Sequence, residues 1–101
     1  MVSSIVAVVP AGKEALSEDV AVVVDLIDRS GLAYRLTPMG TVIEGAADDV
    51  WVLLRQCHEK MRERSRRVHT HITIDDREDA IDAIDSKVDD IKRHLGRDLN
   101  S

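Results

Sequence analysis

Leu36-Thr37-Pro38-Met39-Gly40-Thr41-Val42-Ile43-Glu44-Gly45 decides how the rest of this chain must fold. Pro38 stands at the second position of a tight turn and Gly40 at the fourth, the arrangement of a type I turn. The runs on either side, Ala33 to Thr37 and Thr41 to Glu44, read as extended chain. So short a link makes them neighbours in an antiparallel hairpin. This segment alone combines a tight turn with polar groups in a buried-looking setting, namely Thr37, Thr41 and Glu44.

Toward the N-terminus, Ser3-Ser4-Ile5-Val6-Ala7-Val8-Val9 is short, β-branched and almost continuously apolar. That pattern predicts a strand buried on both faces, ended by Pro10-Ala11-Gly12. Ser17 then offers an N-cap, with Glu18 and Asp19 in the first turn. Val20, Val23, Val24 and Ile27 follow at the spacing of one helical face. Gly31 closes that helix, and Leu32 makes the hydrophobic contact behind it.

Toward the C-terminus, Asp48-Asp49 reads as a capping pair for a second helix. Its apolar face carries Val50, Leu53, Leu54, Cys57 and Met61, with Trp51 beside it. Cys57 at such a position is a packing residue, since no motif sets a base next to it. His58, one residue off that face, is expected to be partly exposed. Val68, Thr70, Ile72 and Ile74 then alternate with His69, His71, Thr73 and Asp75, the signature of a strand with two different faces. Asp75-Asp76-Arg77-Glu78 reads as a polar turn and cap. Ile81, Ile84, Val88, Ile91 and Leu95 form a narrow, heptad-like stripe on a third helix.

The order β-α-β-β-α-β followed by a helix is the split pattern of an α+β, ferredoxin-like domain. Two helices cover one face of a four-stranded antiparallel sheet and leave the other open. The expected domain is residues 1–96, with a polar tail over 97–101. An open face behind an apolar first strand, plus a third helix with its own apolar stripe, predicts self-association as a dimer or tetramer. In that assembly, sheets stack across the interface and third helices pack between subunits.

At 101 residues the chain suits one domain. Tyr34 and Trp51 are the only aromatics, and the net charge is −5. Few stacking rings and a negative balance argue against nucleic acid and against anionic membranes. The basic run Arg62-Glu63-Arg64-Ser65-Arg66-Arg67 reads as a solvated helix end. A single cysteine, no signal-type leader and no apolar run near the ~20 residues of a membrane span point to the cytoplasm.

No nucleophile–base pair, Gly-rich phosphate loop or zinc spacing is present, so no catalytic residue is assigned. His69 and His71 point the same way along a strand, but no spacing supplies the further ligands a metal needs, so no metal is assigned. Strict alternation puts Thr41 and Glu44 on opposite faces unless a bulge re-aims one of them. A semi-buried Glu44 would suit the amine or ring nitrogens of a small ligand.

The hairpin decapeptide, the opening Val8-Val9-Pro10 and the segment Ile72-Thr73-Ile74-Asp75-Asp76-Arg77 resemble the thiamine-binding-protein family, from about Val2 to Leu95. The resemblance implies a ferredoxin-like fold, dimers that pair into tetramers, and binding of thiamine or its hydroxymethylpyrimidine moiety without catalysis. It carries ligand contact to Thr37, Thr41 and Glu44, and also to Ser4 and His71. Met39 is a candidate soft face for the ring. On this reading the protein is a carrier, buffer or sensor that requires no cofactor. The alternatives are a small-molecule enzyme of the dimeric ferredoxin-like type, or a regulatory ligand-sensing module.

Overall fold

In a computed structural model the chain is described over residues 1–12, 17–78 and 83–97. The elements follow the expected order: β1 (Val2–Pro10), α1 (Ser17–Arg29), β2 (Ala33–Thr37), β3 (Gly40–Gly45), α2 (Ala47–Arg62), β4 (Val68–Asp76) and α3 (Ala83–Leu95). The four strands form one antiparallel sheet in the order β2-β3-β1-β4. This is the ferredoxin-like arrangement. Its long central strand, β1, pairs with β3 on one side and with all of β4 on the other.

The even-numbered side chains of β1 are buried and the odd-numbered ones half-buried. Val2, Val6 and Val8 pack with Ile43 of β3, with Val23 and Ile27 of α1, and with Val50, Leu53, Leu54, Cys57 and Met61 of α2. Each aliphatic side chain taken fully from water stabilises the fold by roughly 1.5–3 kcal/mol. This aliphatic layer replaces the aromatics the chain lacks. The first strand is therefore one-sided within a single chain: Ile5, Ala7 and Val9 on the open face keep part of their surface exposed.

Local chemistry sets the joints. Gly31 has φ +79°, the left-handed closure expected after α1. Leu32 then packs against the core. The Tyr34 hydroxyl donates to Asp28 Oδ1 at 2.7 Å, tying β2 to the end of α1. That bond, first, and the negative charge beside it raise the phenol pKa.

Two junctions differ from expectation. Asp48 and Asp49 lie inside the first turn of α2 rather than at its cap, which is Ala46 and makes no side-chain cap bond. There they act on the helix dipole. Asp75 and Asp76 are not a turn but the end of β4, because Ser3 and Val2 of β1 continue the ladder opposite them. Ile81, the Ile84 side chain and residues 98–101 of the expected tail lie outside the described residues. The Ile91 and Leu95 side chains of α3 are exposed. Among the described residues no helix is long and apolar enough to cross a membrane.

Candidate functional site

The β2–β3 turn is held by its own threonine. Thr37 Oγ1 accepts from the Met39 amide at 3.2 Å and donates to the Gly40 carbonyl at 2.7 Å. Gly40 has φ +147°, and a Cβ there would come within 2.8 Å of the Val6 carbonyl oxygen. Only glycine allows the hairpin to lie this close against β1.

That close approach shapes a cavity of about 290 Å³ between the hairpin and α1. Val20, Val23 and Val24 form its helical wall, Val6 and Val8 part of its floor, and Leu36, Thr37 and Thr41 the hairpin side. The walls are aliphatic. Thr41, 7% exposed, is the polar side chain of the lining, while Thr37 borders the cavity with its hydroxyl bonded within the turn. Such a pocket has the composition of a small-ligand site: mostly apolar, with a few placed polar groups.

Ser4 lies on the same side of the sheet. In the register Ser4 faces Ile43 and Val6 faces Thr41, so Ser4 and Thr41 are diagonal neighbours under the helices. Ser4 is 3% exposed, and its Oγ is a buried side-chain atom with no hydrogen-bond partner among the described residues. An unmet buried hydroxyl costs free energy and is rare in a core.

Glu44 and His71 are placed elsewhere. The β1–β3 ladder runs without a bulge from Gly45 to Thr41, so alternation holds and Glu44 faces the opposite side of the sheet from Thr41. Glu44 is buried there, at 7% exposure, and takes part in a polar or charge interaction. His71 also lies on the open face, but it pairs with Ala7 while Glu44 pairs with Ser3. Two strand spacings and four residues of rise separate them by roughly 16 Å, beyond the reach of one aromatic ring. Met39 is 80% exposed at the hairpin tip and does not line the cavity, so valines provide its soft surfaces. Of the five sequence candidates, then, Ser4 and Thr41 lie on the helix side of the sheet, Thr37 borders the cavity at the turn, and Glu44 and His71 lie on the open face.

One pair that supports the site escaped sequence reasoning. Asp19, fully buried, accepts a hydrogen bond from Arg64 Nε at 2.8 Å, and Arg64 Nη2 lies 3.7 Å from Glu18. The bond to Asp19 is the main cause holding the guanidinium pKa above its usual value. It anchors the first turn of α1, and so the helical wall of the cavity, to the segment after α2. With the two 45 positions apart in sequence, nothing local marks the pair. Cys57 is buried, and burial pushes its thiol up to about 11. Among the described residues no group of three His, Cys, Asp or Glu side chains is placed to hold a metal.

The family model for thiamine-binding protein matches residues 5–92. The chain belongs to this family. It is 34% identical over 97 residues to the UPF0045 protein YqgV of Bacillus subtilis, covering 89% of this chain and 93% of that one. A UPF0045 protein of Methanothermobacter thermautotrophicus is 30% identical over 99 residues, covering 94% of this chain and 100% of its own length. Among solved structures, a hypothetical protein of Methanocaldococcus jannaschii superposes with TM-score 0.81 at 28% identity, covering 89% of this chain and 94% of that one. A Thermotoga maritima protein described as a candidate for thiamine biosynthesis or salvage superposes with TM-score 0.78 at 23% identity, covering 89% of this chain and 97% of that one. Both share the fold.

Proposed function

We propose that this protein binds thiamine, or its hydroxymethylpyrimidine moiety, in the cavity between α1 and the β2–β3 hairpin, and acts without catalysis as a carrier, buffer or sensor. The observation that carries the reading is the cavity itself, an aliphatic pocket of about 290 Å³ with the Thr41 hydroxyl on its wall. Ligand pockets span ~300–1,000 Å³, so this one suits a single ring. Valine flanks above and below take the faces of a flat pyrimidine. Thr41 supplies a hydroxyl for the exocyclic amine or a ring nitrogen, and the buried Ser4, outside the lining, is its diagonal neighbour along the sheet. Thr37 shapes the mouth, its hydroxyl being committed to the turn. The family supports a small-molecule ligand related to thiamine, and the Thermotoga neighbour is in keeping with it.

Glu44 and His71 belong to the open face and contact this ligand only where a second subunit brings that face to the site. The half-buried apolar residues of that face and the exposed Ile91 and Leu95 of α3 support self-association as a dimer or tetramer. The enzymatic alternative needs a titratable group in an enclosed pocket. The described lining of the cavity holds none.

Isothermal titration with thiamine, hydroxymethylpyrimidine and choline tests the reading. Heat with the two pyrimidines and none with choline is expected, and Thr41→Val should weaken binding about tenfold while leaving the fold intact. Absence of heat with either pyrimidine, on folded protein, would sink it.

A further inference from the structure

We propose that the peptide unit of Val8 is the specificity-determining contact of the cavity. Its N–H and C=O read the amidine edge of a heterocycle, a ring nitrogen next to an exocyclic amine. The proposal rests on the cavity being a ligand site and names the chemistry that site selects.

The phase of β1 comes first. On either side of the strand, the Ala11 amide donates to the Arg67 carbonyl and the Met1 carbonyl accepts from the Arg77 amide. Odd-numbered residues of β1 therefore turn their peptide groups toward β4, and even-numbered ones toward β3. Gly40 agrees with this, since a carbon added there would meet the Val6 carbonyl oxygen.

The ladder to β3 stops before β1 does. It runs from Val2↔Gly45 to Val6↔Thr41, whereas β1 continues to Pro10. Extending the register would set Met39 opposite Val8. Met39 lies in the turn instead and gives its amide to Thr37 Oγ1. Pro10, the next residue of the same phase, has no N–H to satisfy. Val8 thus turns both an N–H and a C=O past the end of the ladder, and among the described residues neither group has a backbone partner on that side. Val8 is also 7% exposed. Buried peptide groups are almost always bonded, so an unpaired set beside a cavity reads as a recognition element.

The cavity lies along this edge. Its lining takes in four consecutive residues of β1, Val6 to Val9, with Thr37 and Pro38 of the hairpin across from them. Side chains alternate in a strand, and those of Ala7 and Val9 belong to the open face. Their share in the lining is therefore backbone, the strand seen edge-on.

An extended residue points its N–H and C=O the same way, and in an antiparallel pair they meet the C=O and N–H of the residue opposite. A planar amidine edge offers the same complement. The ring nitrogen accepts from the Val8 N–H, and the amine donates to the Val8 carbonyl. The aminopyrimidine end of thiamine has such an edge and the thiazolium end has none, so the pyrimidine end enters the cavity. The Thr41 hydroxyl is left for the second amine hydrogen or the other ring nitrogen. A ring without the amine leaves the Val8 carbonyl unmet, which costs binding free energy.

Amide exchange and chemical shifts on isotope-labelled protein test the assignment. In the free protein the Val8 amide should exchange about tenfold faster than the Val6 amide, which the ladder holds. Hydroxymethylpyrimidine should move the Val8 amide downfield and slow its exchange about tenfold, with the Ala7 and Val9 amides little changed. An aminopyrimidine bearing no other substituent should shift the same amide. The analogue of hydroxymethylpyrimidine with hydrogen in place of the amine should bind about tenfold more weakly. If hydroxymethylpyrimidine binds with Val8 unmoved, or its analogue binds equally well, the Val8 assignment falls and the cavity reading stands. If the bare aminopyrimidine shifts Val8 while thiamine and hydroxymethylpyrimidine do not bind, the assignment stands and the thiamine reading falls. A Val8 amide as protected as that of Val6 in the free protein, or unmoved by every aminopyrimidine, overturns the assignment.

Discussion

Arg64 reaches back over 45 residues to donate a hydrogen bond, 2.8 Å long, to the fully buried carboxylate of Asp19. A buried carboxylate at the first turn of a helix is favoured by the dipole, yet it still loses its hydration. The arginine offsets part of that loss and fixes where α1 begins. Since Val20, Val23 and Val24 follow directly, the same bond sets the helical wall of the cavity. Arg64→Ala should lower stability by roughly 1.5–3 kcal/mol, the range for a hydrogen bond to a charged group. It should also weaken pyrimidine binding. Urea denaturation and titration on one preparation test both, and unchanged stability would show that the pair is incidental.

Gly40 makes the complementary prediction on the hairpin side. Gly40→Ala must place a Cβ within 2.8 Å of the Val6 carbonyl oxygen at a φ of +147°. Backbone strain and the displaced strand together should cost about 2–4 kcal/mol. At Gly31, with φ +79° and open space around the added carbon, the same change should cost only ~1 kcal/mol. Comparable losses at the two positions in thermal melts would show that close approach to β1 is not what the glycine serves.

The elements were legible in the sequence because a continuous apolar run (β1) and an alternating one (β4) contrast cleanly with the helical spacing of Val20 to Ile27 and Val50 to Met61. Gly31 and the Pro38–Gly40 turn mark the joints. The site was only half legible. Thr41 could be picked out from the hairpin, and alternation already separated it from Glu44. That no bulge reunites them needed the register with β1. Asp19 read as an ordinary acid in a first helical turn, because its partner lies beyond α2. Asp75 and Asp76 read as a turn because their composition is polar, whereas pairing with the start of β1 keeps them extended. These readings turn on long-range contacts, which local periodicity does not encode, whereas the cap of α2 was misplaced locally, by two residues from Ala46.

Cys57 gives a prediction about pH. Its folded thiol is pushed up to about 11 from an ordinary value of 9.0 by burial. A group whose folded pKa is raised contributes fully below its unfolded pKa, and that contribution is lost as pH rises through the folded one. Stability should therefore fall between about pH 9 and 11, with this group adding a slope of up to ~1.4 kcal/mol per unit. Cys57→Ala should flatten that slope. Native protein at pH 8 should also react with a thiol reagent only at its rate of opening. Fast labelling under native conditions would contradict burial of the sulfur.

Ser4 offers the test that separates stability from binding. Its hydroxyl is buried and unpartnered among the described residues, so Ser4→Ala removes an unmet polar group while keeping the strand and nearly all the packing. The variant should be more stable by about 1 kcal/mol, since the desolvation penalty of the hydroxyl disappears. If that hydroxyl sits under the helices to meet a ligand's nitrogen, Ser4→Ala should at the same time weaken pyrimidine binding several-fold. Higher stability with unchanged affinity would remove Ser4 from the site and leave Thr41 as its polar group. Lower stability would show that the hydroxyl is already satisfied, as by a buried water, and that the cavity's polar supply was misassigned.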